Sequence, residues 1–356
     1  MEECERIVKD SRHANGPEDD EGTPVQAIAA FSGGLDSILA ATIVRRAGIG
    51  VILLHVRHLW SGGEEAEQRL RATADRVGLP LRIIDASVDH LDVVRHPKHG
   101  YGAAVNPCID CHIFILKVAK RVMEEEGAHF VVTGEVLGQR PKSQHYRALS
   151  NVAEESGLGD RLLRPLSANL LPDTLPVKQG WLRRDDLLSI QGRGREAQLA
   201  LAASFGIRDF LQPAGGCLLT EKVYAARVRD AFRHVGKDNV GVEDFRLLSV
   251  GRHFRLSDRV KVIVGRNEEE NAALAELAAD RVRIEPVDVM GPTALVEGDP
   301  SAEELGLAAS LCARYCDSAD RSPVRLRIVS SGPERILEAV PLDPADARIA
   351  AWRIAS

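Results

Sequence analysis

Short apolar runs alternate with stretches of helical periodicity along the first part of the chain. Val25 to Phe31, Val51 to Val56, Leu79 to Asp85 and Phe130 to Thr133 have the length and apolarity of strands buried on both faces. Around them, apolar positions recur at helical spacing near residues 64 to 77, 110 to 126 and 195 to 205. This alternation predicts an α/β fold, a doubly wound parallel sheet with helices on both faces. Ligands of such sheets bind beyond the carboxyl ends of the strands, so the loops after Phe31, His55, Asp85 and Thr133 are expected to converge.

The pattern changes around Val235-Gly236-Lys237-Asp238-Asn239. Beyond it, Phe245 to Ser249, Lys261 to Val264, Val282 to Val287 and Thr293 to Val296 read as short strands around a helix at 267 to 279. A smaller C-terminal α+β domain is therefore expected over 240 to 356, after a main domain over 24 to 235. Residues 1 to 23 are polar and acidic and read as a disordered leader. No internal repeat is visible.

Composition narrows the function classes. The 356 residues are 44% hydrophobic, enough for a substantial core, and carry a formal net charge of -6. That charge argues against a broadly basic nucleic-acid coat and leaves room for a local basic groove. No apolar run reaches membrane-spanning length and the start lacks a secretory signal, so the expected location is the cytoplasm, with no membrane partner. Six cysteines in a chain of this kind point to metal or sulfur chemistry rather than to a disulfide framework.

Between the first strand and the apolar helix Ile38 to Val44 lies Ser32-Gly33-Gly34-Leu35-Asp36-Ser37. Glycines there allow a ligand close to the backbone, and helix-start amides carry partial positive charge, so the turn suits a phosphate. Ser32 and Ser37 add hydroxyl donors, and Asp36 offers a carboxylate for Mg²⁺. A second constellation is sulfur-based. Cys108 and Cys111 lie three residues apart at the start of a helix, and Gly215-Gly216-Cys217 adds a third thiol in a glycine-rich loop. Three thiolates suit a [4Fe-4S] cluster with one open iron; alternatively Cys217 pairs with Cys108 or Cys111 as persulfide carrier and resolving thiol. Cys312 and Cys316, four apart on an apolar helix, read as core packing.

The loop Ser32 to Ser37 resembles the SGGxDS pyrophosphate loop of the PP-loop ATP pyrophosphatases, whose fold is adenine nucleotide alpha hydrolase-like. Asn106-Pro107-Cys108-Ile109-Asp110-Cys111-His112 with Lys117 is similar to a segment of bacterial tRNA 2-thiouridylases, as is Gly127 to Gly134. Thr133-Gly134-Glu135-Val136-Leu137-Gly138-Gln139 with Ser143-Gln144, and Leu163-Arg164-Pro165-Leu166, are closer to tRNA 4-thiouridine synthases. Glu135 stands where the 2-thiouridylases have histidine. The resemblance covers about residues 25 to 220.

What it implies is an ATP-dependent tRNA sulfurtransferase that adenylates a uridine oxygen and replaces it with sulfur, releasing AMP and pyrophosphate. ATP is then expected on Ser32, Gly33, Gly34, Asp36, Ser37, His55, Gly134 and Arg164, with Mg²⁺ at Asp36. Sulfur delivery falls to Cys217, Cys108 and Cys111, as persulfide or as a [4Fe-4S] cluster. The implied partners are tRNA, a sulfur donor such as a cysteine desulfurase or sulfide, and a second copy in a homodimer. Arg140 and Lys142 also follow predicted strand ends and are placed to reach phosphate. Clusters at Arg183, Arg184, Arg193 and Arg195, and from Arg252 to Arg266, suit an RNA backbone. Gly251 to Leu256 and Val264 to Glu268 resemble RNA-associated modules of some thiouridine synthases, although residues 241 to 356 carry 15 basic against 20 acidic residues. Two other readings fit the same residues: sulfur or nitrogen transfer to a small metabolite or cofactor, and a non-catalytic ATP- or RNA-binding module.

Overall fold

The computed structural model describes residues 16–102, 104–211, 217–318 and 322–355. Two compact units divide the chain, Met1–Cys217 and Leu218–Ser356. The division falls ahead of the break at 235 to 239, because the helix Lys222–His234 packs with the second unit.

The first unit is built on five strands, β1 (Gln26–Ala30), β2 (Gly50–Arg57), β3 (Leu81–Asp85), β4 (Phe130–Val132) and β5 (Leu162–Leu163). They lie in the order β3-β2-β1-β4-β5, with every pairing parallel. Helices α1 (Leu35–Arg46), α2 (Glu64–Val77), α3 (His90–Arg95), α4 (Cys108–Glu125), α5 (Tyr146–Glu155), α6 (Leu175–Lys178) and α7 (Glu196–Ser204) complete it. Alternate strand residues point to opposite faces. Ala27, Ala29, Leu53, Phe130 and Val132 thus pack with Ile38, Ala41 and Leu70 of α1 and α2. Ile28, Leu54, Val56 and Val131 pack with Leu116, Ala119, Val122 and Met123 of α4. The strand order reverses between β1 and β4, so their carboxyl ends frame the crevice where a doubly wound sheet takes its ligand.

Of the expected leader, residues 1 to 15 lie outside the described residues. The remainder is structured. Asp19 Oδ1 accepts from the amides of Glu21 and Thr23, Val25 N donates to Pro17 O at 2.9 Å, and Asp19 pairs with His129 at 3.0 Å. These bonds tie the entry of β1 to the start of β4, which the polar composition of that stretch did not announce.

The second unit opens with α8 (Lys222–His234) and α9 (Val242–Leu248). Its six strands are β6 (Arg252–Arg255), β7 (Lys261–Val264), β8 (Val282–Pro286), β9 (Ala294–Glu297), β10 (Val324–Val329) and β11 (Arg335–Ala339), in the antiparallel order β11-β10-β8-β9-β7-β6. Helices α10 (Glu268–Glu276), α11 (Ala302–Ala313) and α12 (Ala347–Trp352) accompany it. The strand expected at Phe245 to Ser249 is instead the end of helix α9 with its C-terminal cap, Ser249. Asp244 Oδ2 accepts from Gly241 N at 2.8 Å, which satisfies a helix-start amide, and buried Arg227 donates to the carbonyls of Leu248 and Gly251 at the other end. Cys312 is buried in the core beside the sheet, as its apolar surroundings predict. Among the described residues no helix is long and apolar enough to cross a membrane.

Candidate active site

Helix α1 begins at Gly34 without a side-chain cap, so the amides of its first turn remain for a ligand. The loop before it is held by its own hydroxyls. Ser37 Oγ donates to Gly34 O at 2.8 Å, and the Ser32 hydroxyl lies 3.3 Å from that of Ser37. Gly33 has φ 72°, and a Cβ there would meet Leu211 Cδ1 at 2.8 Å. Only glycine fits that left-handed position under a leucine. Leu211 N in turn donates to Gly33 O at 3.0 Å, so the chain leading toward Cys217 is pinned to the phosphate loop.

Asp36, in the first turn of α1, accepts from Gln139 Nε2 on Oδ2 at 3.0 Å, while its Oδ1 is buried with no hydrogen-bond partner. A buried carboxylate oxygen without a donor is suited to a cation. Gly134, at the end of β4, lies against the same turn: a Cβ there would stand 2.5 Å from the Asp36 carbonyl carbon and 2.6 Å from Ser37 N. Both are backbone atoms and cannot yield. Gly134→Ala is therefore expected to destabilise the protein by about 1–3 kcal/mol through overpacking, read as a lower urea midpoint, and to weaken ATP binding in equilibrium dialysis.

The next residue, Glu135, joins this loop to the thiols. Its Oε1 accepts from His112 Nδ1 at 2.8 Å, and its Oε2 accepts from Arg164 Nε at 2.9 Å and from the Thr133 hydroxyl at 3.1 Å. Burial pushes the Glu135 carboxyl up. The Arg164 charge and the bonds from His112 and Arg164 outweigh it and hold the group at about 2. The folded value thus lies below the ordinary 4.5, so the stability it contributes is complete above pH 4.5 and is lost as the pH falls through about 2. Glu135→Ala leaves buried Arg164 unpaired, with an expected loss of about 3–5 kcal/mol in chemical denaturation at neutral pH and a flatter acid limb of the stability curve.

His112 follows Cys111 on helix α4, whose first turn carries both close-spaced thiols. Asn106 Nδ2 donates to Cys108 Sγ at 2.8 Å, and His90 Nε2 lies 3.2 Å from Cys111 Sγ. Burial, then the neighbouring Cys217, Cys108 and Asp110, push the Cys111 thiol up to about 12. Cys111 therefore stands within electrostatic reach of both Cys108 and Cys217, with Cys217 exposed and Cys111 protonated at neutral pH. As they stand, no three His, Cys, Asp or Glu side chains among the described residues are grouped to grip a metal ion.

Around Cys111 is an aromatic shell that the sequence reading did not single out. His58 and His90 stack at 4.8 Å, and Trp60 and Phe114 meet His90 edge-on at 5.7 and 5.3 Å. Burial, reinforced by His55 in the case of His58 and by His58 in the case of His90, holds His58 at about 4 and His90 at about 3, so both rings are neutral. Their place shortly after β2 and β3, His58 in the loop and His90 at the start of α3, was the available signal.

The other expected site residues are placed as follows. His55 Nδ1 donates to Phe31 O at 2.9 Å and Phe31 N donates to Leu54 O, which ties the ends of β1 and β2 together. Arg164 is buried and also donates to Leu149 O. Arg140 and Lys142 are exposed. Gly215 and Gly216, before Cys217, lie outside the described residues.

Residues 22–168 match the family described as thiamine biosynthesis protein (ThiI), over the phosphate loop and the close-spaced cysteines. The first unit carries a PP-loop ATP pyrophosphatase domain. Residues 251–353 match a second family, the NFACT protein RNA binding domain. The PP-loop part is 28% identical over 148 residues to a probable tRNA sulfurtransferase of Methanothermobacter thermautotrophicus, covering 41% of this chain and 37% of that protein. It is 27% identical over 206 residues to the tRNA-specific 2-thiouridylase MnmA of Xanthobacter autotrophicus, covering 53% of this chain and 50% of the relative. The chain thus spans half or less of the length of these relatives. Among solved structures, the U34-tRNA thiolase NcsA from Methanococcus maripaludis, with its [4Fe-4S] cluster, is similar over 70% of this chain and 79% of that one, at 16% identity and a TM-score of 0.34.

Proposed function

We propose that this PP-loop protein is an ATP-dependent tRNA sulfurtransferase. One observation carries the reading: Thr133-Gly134-Glu135 touches the phosphate loop at Asp36 and Ser37 and, one residue on, hydrogen-bonds the helix turn that holds Cys108 and Cys111. Nucleotide activation and sulfur delivery therefore belong to adjacent loops at one rim of the sheet. The names of the relatives and of the RNA-binding family model support a tRNA substrate in the cytoplasm, with the second unit as the RNA-associated part.

In this reading Ser32, Ser37 and the first amides of α1 hold the β and γ phosphates of ATP. Asp36 Oδ1 would hold Mg²⁺, which neutralises charge on the departing pyrophosphate. The uridine oxygen attacks the α phosphorus and becomes bonded to AMP. A persulfide on exposed Cys217 then attacks the activated carbon through its terminal sulfur, and AMP leaves. A resolving thiolate attacks Cys217 Sγ, breaking the S–S bond to the transferred sulfur and forming a protein disulfide. An external dithiol reduces that disulfide, and a cysteine desulfurase reloads Cys217. Cys108, with the Asn106 amide donated to its sulfur, suits the resolving role better than Cys111, whose thiol is pushed up to about 12. The donor set of Cys108, Cys111 and Cys217 also suits a [4Fe-4S] cluster, which would supply a sulfide carrier in place of the persulfide.

The test is anaerobic incubation of the whole protein with unmodified tRNA, ATP, Mg²⁺ and sulfide, or cysteine with a desulfurase, with AMP, pyrophosphate and thiolated nucleosides all measured. Thiouridine formed in step with AMP supports the reading. AMP without thiouridine points to a small acceptor, which the acidic balance of the chain favours. No AMP at all sets the enzyme reading aside.

A further inference from the structure

Strand β5 closes one side of the parallel sheet and is two residues long. Beside it, between helix α5 and the segment 168 to 178, is a cavity of about 330 Å³. Neither the phosphate loop nor any cysteine lines it. Its floor is apolar, formed by Leu149, Ala153, Leu163, Leu171, Val177 and Leu187. Tyr146, the first residue of α5, lines it with 56% of its surface exposed.

The lining itself carries three cationic and three acidic side chains. Lys178 pairs with Asp160 at 2.8 Å and Arg184 with Asp173 at 2.7 Å, Arg164 is held by Glu135, and Glu154 accepts from the Ser150 hydroxyl. An apolar floor under a rim of no net charge suits an uncharged, flat group, and the volume falls at the lower end of the range for small-ligand sites. The exposed ring of Tyr146 offers such a group a face to stack on. At the rim, Arg184 is roughly half exposed at 49%. Its partner Asp173 is itself on the surface at 43% exposed, and an exposed ion pair of this kind contributes little, so a phosphate can exchange with it.

We propose that this cavity receives one unstacked base of a single-stranded RNA segment, stacked on Tyr146, with a flanking phosphate on Arg184. Single-stranded RNA is recognised in this manner, by aromatic faces for the base and arginines for the backbone. The proposal rests on the tRNA reading for the identity of the RNA, while the binding step needs neither ATP nor sulfur.

The full-length protein is photocrosslinked to a short oligouridylate containing 5-iodouridine, without ATP, and the crosslinked peptides are mapped. Crosslinks are expected in the peptide that begins at Tyr146 or in residues 171 to 178. Tyr146→Ala should remove them and weaken the oligouridylate Kd roughly tenfold at fixed salt, and Tyr146→Phe should behave as wild type. Because Tyr146 is largely exposed, thermal melting is expected to be unchanged in both variants. Crosslinks confined to other regions, or a Tyr146→Ala protein that crosslinks like wild type, overturn the proposal. Wild-type thiouridine formation is scored separately, so a failed cavity and a failed sulfurtransferase reading give different results.

Discussion

Asp36→Ala is expected to abolish pyrophosphate release from ATP, by about a thousandfold, in a protein that still melts like wild type. The two halves of this expectation have one cause. Asp36 Oδ1 is buried and accepts no hydrogen bond, so the folded chain gains nothing from that oxygen. Among the described residues, Gln139 donates to the other carboxylate oxygen, and Gln139 is only part-buried and can turn to water instead. Deleting the carboxylate therefore removes a destabilising orphan along with the charge that would hold Mg²⁺. Asp36→Asn sharpens the point, because it keeps the shape and an acceptor for Gln139 and loses only the charge. Both variants should be equally inactive, and raising Mg²⁺ should not rescue either. An Asn variant with near wild-type pyrophosphate release would show that the residue acts by shape, and the metal assignment would fail.

The phosphate loop was legible in the sequence because everything that makes it is local. A strand, two glycines, two hydroxyls and an apolar helix are contiguous, and each imposes its geometry within a few residues. The four strand ends and the helix at 64 to 77 were legible for the same reason: a run buried on both faces, or a stripe at helical spacing, declares itself without partners. Phe245 to Ser249 misled because three apolar residues in a short run fit either period, and the deciding bonds come from Gly241, Asp244 and the distant Arg227. The Glu135 network was out of reach on physical grounds. It joins residues 112, 133, 135 and 164, and no spacing rule relates a buried carboxylate to an arginine 29 positions later. The stacked imidazoles of His58 and His90 belong to the same class, set by two segments that meet only because β2 and β3 are neighbours.

Cys217→Ala is expected to leave tRNA-dependent AMP formation near the wild-type rate and to reduce thiouridine to background, a loss of about a hundredfold or more. The separation follows from where the thiol sits. Cys217 is exposed, and the described bonds of the phosphate loop and of the Glu135 network run between other side chains. Its removal should therefore spare activation and stop delivery. Cys108→Ala and Cys111→Ala then divide the two chemistries open to these thiols. If sulfur travels as a persulfide with Cys108 resolving, Cys111→Ala keeps much of its activity, since a thiol pushed up to about 12 does little as a nucleophile. If the thiols hold a cluster, each of the three substitutions removes iron and its visible absorption together with activity, and the high value at Cys111 describes the cost of its ionisation before a cation binds. Iron content and bound sulfane sulfur of the anaerobically purified wild type and single variants separate these outcomes. Full thiouridine formation by Cys217→Ala would overturn both, and would leave the thiols of helix α4 as the only described sulfur near the Glu135 bridge.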